Sequence, residues 1–146
     1  MTELREENDW KPLKAGGFMA GIGPLYARRR DDGVFTYALE TGDAHANAIG
    51  LVHGGVIAGL ADQAIALVAW HAAGRVPVVT VEMSTRFTDS ARPGARLEAE
   101  AAVRQTSGSM MFVDATVREG ERTVALATAV MKIARKGGPD DADKQG

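Results

Sequence analysis

The sequence predicts an α+β domain in which one curved antiparallel sheet of about six strands wraps a single long helix. Three observations carry that reading. The stretch "HANAIGLVHGGVIAGLADQAIALVAW", residues 45–70, is rich in Ile, Leu, Val and Ala from Val56 onward and has almost no polar face, as expected of a helix enclosed on most sides. After it the apolar period changes from about 3.6 to 2, the period of strands. Short turn signals, Asp32-Gly33, Pro93-Gly94, Ser107-Gly108 and Glu119-Gly120, then separate long alternating runs.

Taken in order, residues 1–15 read as an N-terminal tail, 16–135 as a single domain and 136–146 as a disordered C-terminal tail, because both ends lack apolar periodicity. "GPLYARRRDDGVFTYALE" reads as two strands around Asp32-Gly33, a dipeptide suited to tight hairpin turns. In its second strand Phe35, Tyr37 and Leu39 share a face opposite Thr36 and Ala38. Beyond the helix, "VPVVTVEMSTRF" alternates Val79, Val81, Met83 and Phe87 against Thr80, Glu82, Ser84 and Arg86. Three more strands follow across short turns, which implies an antiparallel meander of four. Such a sheet has open edges, and open edges favour pairing with a second copy.

Composition narrows the classes. The chain has 146 residues, enough for one domain with a substantial core. Its net charge of −2 favours neither nucleic acid nor an anionic membrane as partner. With no cysteine, disulfides, thiol catalysis and Cys-ligated zinc are excluded. The acidic, polar start "MTELREENDW" is unlike a signal peptide. His53, Asp62, Gln63 and His71 interrupt the most apolar run, so a membrane span is not expected and a cytoplasmic location is. His45 and His71 read as inert surface residues.

The helix carries one carboxylate. Residues three or four apart share a helix face, so Asp62 lies in a lane with Gly55, Ala58, Gly59, Ile65, Ala66 and Ala69, while Ile57, Leu60, Ala64, Leu67 and Val68 lie opposite. Gly59 in a helix interior costs about 1 kcal/mol relative to Ala; a partner helix or a thin ligand coming close would offset that. At the helix start, the N–H groups of Gly54 and Gly55 lack intrahelical acceptors and suit a developing oxyanion. Asp62 lies eight residues beyond Gly54, about 12 Å along the axis at 1.5 Å per residue. A base and an oxyanion cradle acting on one carbonyl must be much closer. Two antiparallel helices in a symmetric dimer meet that need, and one helix does not.

"HANAIGLVHGGVIAGLAD", preceded by "GFMAGIGPLY" and followed by "VVTVEMSTRF", resembles the PaaI-type acyl-CoA thioesterases of the hotdog-fold superfamily over roughly residues 17–135. The resemblance implies hydrolysis of acyl-CoA esters to free acid and coenzyme A, with aryl, arylacetyl or medium-chain acyl groups. It implies Asp62 as base or nucleophile, Gly54 as oxyanion donor, Asn47 as an orienting group across the dimer interface, His53 as a holder of the thioester end, and Thr80 as an aid in placing water. The strand alternation sets Thr80 on the face opposite Val79 and Val81, in mild conflict with that last role. The resemblance further implies substrate contacts from Gly55, from Phe87, Thr88, Asp89, Ser90 and Arg92, and from Gln105, Thr106, Ser107, Gly108, Ser109 and Met110. Arg92 is the phosphate candidate among them, since a guanidinium pairs two oxygens at once; Arg86 and Arg104 read as solvated charges. No cofactor and no metal are implied, coenzyme A being part of the substrate. The resemblance also implies a homodimer as the minimal active unit, with a homotetramer as the assembly.

Other chemistries fit less well. No Ser sits in a G-x-S-x-G turn, no H-E-x-x-H or close His pair exists, and "GGFMAGIG" lacks the Lys-Ser/Thr of a phosphate loop. Two alternatives stay open: an enoyl-CoA hydratase of the same fold, although no second acid or histidine sits beside Asp62, and a non-catalytic acyl-CoA sensor, although this chain keeps Asp62.

Overall fold

The structure, a computed structural model, describes residues 9–134. The first eight residues of the expected N-terminal tail and the whole expected C-terminal tail lie outside the described residues. The elements are β1 (Lys11–Leu13), α1 (Phe18–Ile22), β2 (Leu25–Arg29), β3 (Phe35–Glu40), a short 3-10 turn (Asp43–His45), α2 (Gly54–Ala72), β4 (Val78–Phe87), β5 (Arg96–Ser107), β6 (Met110–Glu119) and β7 (Arg122–Ile133). Among the described residues the sheet has seven strands, all antiparallel, in the order β1-β2-β3-β5-β6-β7-β4. The seventh strand is β1, which pairs Lys11, Pro12 and Leu13 with Ala27, Tyr26 and Leu25. Three residues are too few to show a period, so this strand reads as tail in the sequence. Trp10 pins it, with the Arg28 and Arg96 guanidinium groups 4.7 and 4.4 Å from its ring centre.

The expected four-strand meander is a meander of three. β5, β6 and β7 follow one another across turns where Gly108 and Gly120 take positive φ. β4, however, pairs with β7 at the far edge, and residues 88–95 carry the chain from that edge back to β5 at the sheet centre. Local alternation reports which residues form strands and is silent about which strand each one joins.

α2 lies in the concave face of the sheet and packs against β3 through β7. It has the length and hydropathy of a membrane span, but Ile57, Leu60, Ala61, Ala64, Ile65 and Ala69 are buried in the common core with Leu39, Leu97, Val113, Val117 and Met131. The helix wheel is thus corrected at two places: Ile65 and Ala69, expected beside Asp62, face the core, whereas Leu67 and Val68 are only half-buried. Both faces of β3 are covered, since Thr36 and Ala38 are as buried as Tyr37 and Leu39.

Candidate active site

The N-terminus of α2 is built by its cap. His53 is in extended backbone conformation, and its Nδ1 accepts the Gly55 N–H at 2.8 Å. A Cβ on residue 55 would stand 3.0 Å from that nitrogen, so glycine permits the cap. The consequence revises the two-donor expectation: Gly55 N–H is consumed, and Gly54 N–H alone makes no hydrogen bond among the described residues. Acceptance at Nδ1 leaves the His53 proton on Nε2, on an exposed ring. Asn47 shapes the approach to the cap: its Oδ1 accepts the Ile49 and Leu51 N–H groups at 3.1 and 3.0 Å and closes a tight loop.

Beside Gly54 lies a cavity of about 400 Å³ lined by Asn47, Leu51, Val52, Gly54, Ile57, Phe87, Thr88, Asp89 and Ser90. The Phe87 ring packs on the helix start, its Cζ 3.2 Å from where a residue-54 Cβ would be. Any side chain at position 54 would therefore displace the ring. Thr88 Oγ1 donates to Thr123 O at 2.8 Å. Asp89 is held below the usual carboxylate range by the Ser90 N–H and then by Arg122, 3.1 Å away. The lining residues Leu51, Val52 and Ile57 escaped the sequence reading, and so did Arg122. Apolar residues beside a cap look like core, and Arg122 meets Asp89 only through the β4–β7 pairing.

Asp62 lies five residues beyond Ile57, the last helix residue lining this cavity, about 1.4 turns further along α2. Its Oδ1 accepts a hydrogen bond from Thr80 Oγ1 at 2.7 Å, and Oδ2 has no partner among the described residues. The contact resolves the conflict over Thr80. The β4–β7 register shifts between Thr80 and Glu82, with Val81 as the extra residue of a bulge. The bulge reverses the inside-outside order, so Thr80 turns toward the helix while Val79 and Val81 are 59% and 58% exposed.

The remaining expected contacts do not gather here within one chain. Arg92 is exposed in the loop after the cavity lining. Gln105, Thr106, Ser107, Gly108, Ser109 and Met110 form the β5–β6 hairpin tip at the level of Lys132, seven residues along β7 from Ala125, the partner of Phe87. At about 3.3 Å per residue the two groups are about 23 Å apart. His45 corrects its expected surface position: it is buried, Nδ1 accepts the Gly42 N–H at 2.9 Å and Nε2 lies 2.6 Å from Ile22 O. Its polar backbone neighbours drew it inward, which composition alone does not show. His71 is exposed as expected and stacks on Phe35, 5.3 Å between ring centres. Arg104 pairs with Asp114 at 2.9 Å on the outer sheet face, and Arg86 lines a shallow groove there with it.

One long helix wrapped by a curved antiparallel sheet is the hotdog fold, and the thioesterase superfamily model matches residues 49–126. The chain belongs to that superfamily and is by class a thioester hydrolase. It is 32% identical over 113 residues to the Pseudomonas aeruginosa protein named "Putative esterase PA0474", covering 77% of this chain and 84% of that one. Among solved structures, the TT0310 protein of Thermus thermophilus superposes with a TM-score of 0.73 at 28% identity, over 83% of this chain and all of that one. A mutant of the phenylacetic acid degradation protein PaaI from the same organism gives 0.71 at 28% identity, over 80% and 98%. The BH2602 protein of Bacillus halodurans, solved with CoA, gives 0.73 at 23% identity, over 92% and 87%.

Proposed function

We propose that this protein hydrolyses acyl-CoA esters with an aryl, arylacetyl or medium-chain acyl group, in sites each shared between two subunits. The observation that carries the reading is the Asp62 carboxylate, held at one oxygen by Thr80, on the same helix as an uncommitted Gly54 N–H about 12 Å away. A thioester carbonyl held by Gly54 of one subunit meets Asp62 of the other when the two helices lie antiparallel. Asp62, through Oδ2, acts as base on a water or as nucleophile on the thioester carbon. In the first route the water proton passes to the carboxylate and hydroxide adds to the carbon. The carbonyl oxygen takes the negative charge and is stabilised by Gly54 N–H. Collapse breaks the carbon–sulfur bond, and the departing thiolate receives the proton. The edge position of β4, unpaired on its outer side among the described residues and with exposed Val79 and Val81, supports the pairing. Pairing also offers a way for the cavity and the distant hairpin 105–110 to serve one long substrate. In the Bacillus halodurans protein the same fold was solved with CoA.

The test is thiol release from phenylacetyl-, hydroxybenzoyl-, hexanoyl- and lauroyl-CoA by wild type and Asp62→Ala. The expected outcome is turnover of at least one ester, lost by a factor of about 10³ or more in the variant, with dimer and melting temperature retained. Tight binding without thiol release by either protein overturns it in favour of an acyl-CoA sensor.

A further inference from the structure

α1 has five residues, flanked by Gly17 and Gly23. It sits on the Asp62 side of α2 rather than on the sheet. A Cβ on Gly59 would lie 3.3 Å from Ile22 Cδ1, 3.9 Å from Met19 Sδ and 4.0 Å from Phe18 Cε1. The close approach that Gly59 permits is thus filled by this chain's own α1, not by a bare strip of helix. α1 is also fastened. His45 lies 2.6 Å from Ile22 O through Nε2 and accepts the Gly42 N–H through Nδ1, while its own carbonyl accepts the His53 N–H at 2.8 Å. One buried ring therefore fixes α1 relative to the loop that caps the oxyanion end of α2. Met19 is buried beneath α1, yet Phe18 keeps 76% of its surface exposed. Gly59 precedes Asp62 by three residues, about 4.5 Å along the axis.

We infer that α1 is the wall against which the acyl group packs and that the Phe18 ring is its contact residue, selecting acyl groups with an apolar body beyond the first carbons. The inference rests on the thioesterase reading above. An acyl group that runs from a carbonyl carbon at Asp62 toward Gly59, one helical turn nearer the start of α2, comes to α1; an acetyl group has only a methyl beyond that carbon. Aryl or alkyl contact with the ring then adds binding that a short ester lacks.

The experiment compares acetyl-, hexanoyl- and phenylacetyl-CoA as substrates of wild type, Phe18→Ala and Phe18→Leu, with melting temperatures of all three proteins. The expected result is a rise of about tenfold in KM for the two larger esters in Phe18→Ala. The hexanoyl-to-acetyl ratio of kcat/KM then falls by a similar factor, and Phe18→Leu lies between. An unchanged ratio, or one common factor for all three esters, overturns the inference while leaving the thioesterase reading standing. A lowered melting temperature with an unchanged ratio marks α1 as packing only and also overturns it. A wild type inert toward all three and toward hydroxybenzoyl- and lauroyl-CoA removes the thioesterase reading and this inference together.

Discussion

The Thr80 hydroxyl is the residue on which the Asp62 geometry turns. It donates to Oδ1 at 2.7 Å, and a hydrogen bond to a charged group is worth about 1.5–3 kcal/mol. Thr80→Val keeps the shape of the side chain and removes the donor. The expected outcome is a fall in kcat of about tenfold or more, with KM little changed and Thr80→Ser recovering most of the loss; steady-state kinetics on the best ester checks it. Asp89 offers a separate test of the cavity rim. Its folded-state pKa lies below the usual 3.8, through the Ser90 N–H first and Arg122 second. A carboxylate lowered on folding contributes stability above its unfolded value, and that contribution is lost as pH falls through the lowered folded value. Asp89→Asn should therefore melt below wild type at neutral pH, by about 2 °C or less for so exposed a pair. The two melting curves should converge as pH falls below about 4, the unfolded carboxylate range.

At the scale of elements, the existence of α2 was legible because a long apolar run with a single acid has few other meanings, while its faces were misread at Ile65, Leu67, Val68 and Ala69. The hairpin at Asp32-Gly33 and the turns at Gly108 and Gly120 were legible too, through residues that accept positive φ. The motif also singled out Asn47, Gly54 and Asp62 as candidates for the site proposed above. What stayed hidden depends on long-range pairing. The crossing of residues 88–95, which seats β4 at the far edge, leaves no mark in strand alternation. The bulge at Val81 inverts the pattern it interrupts, so a regular reading of "VVTVEM" turns Thr80 the wrong way. α1, five residues long between glycines, is too short for a period, yet it supplies the wall beside Gly59. His45 looked idle because its partners, Gly42 N–H and Ile22 O, are backbone groups.

At the scale of the molecule, β4 from Val78 to Phe87 forms one edge of the sheet with no second neighbour among the described residues, and the proposed shared site requires that edge to meet a second copy. Placing charge there tests the requirement. Val79→Lys with Val81→Lys should halve the mass seen by light scattering and abolish thiol release together, because lysines on an edge oppose strand pairing. A monomer that keeps full turnover would separate the chemistry from the pairing. The opposite edge has a different character. β1 is held by Trp10 beneath two guanidinium groups, while Trp70 lies at the far end of α2 with Arg75 5.7 Å from its ring centre. These are the chain's two tryptophans, so its intrinsic fluorescence is a sum of one emitter on the sheet edge and one on the core helix. With Trp70 replaced by Phe, emission reports the peeling of the first strand alone; with Trp10 replaced, it reports the helix leaving its sheet. A denaturation followed optically in the two single-tryptophan proteins thus tells whether the edge lets go before the core does.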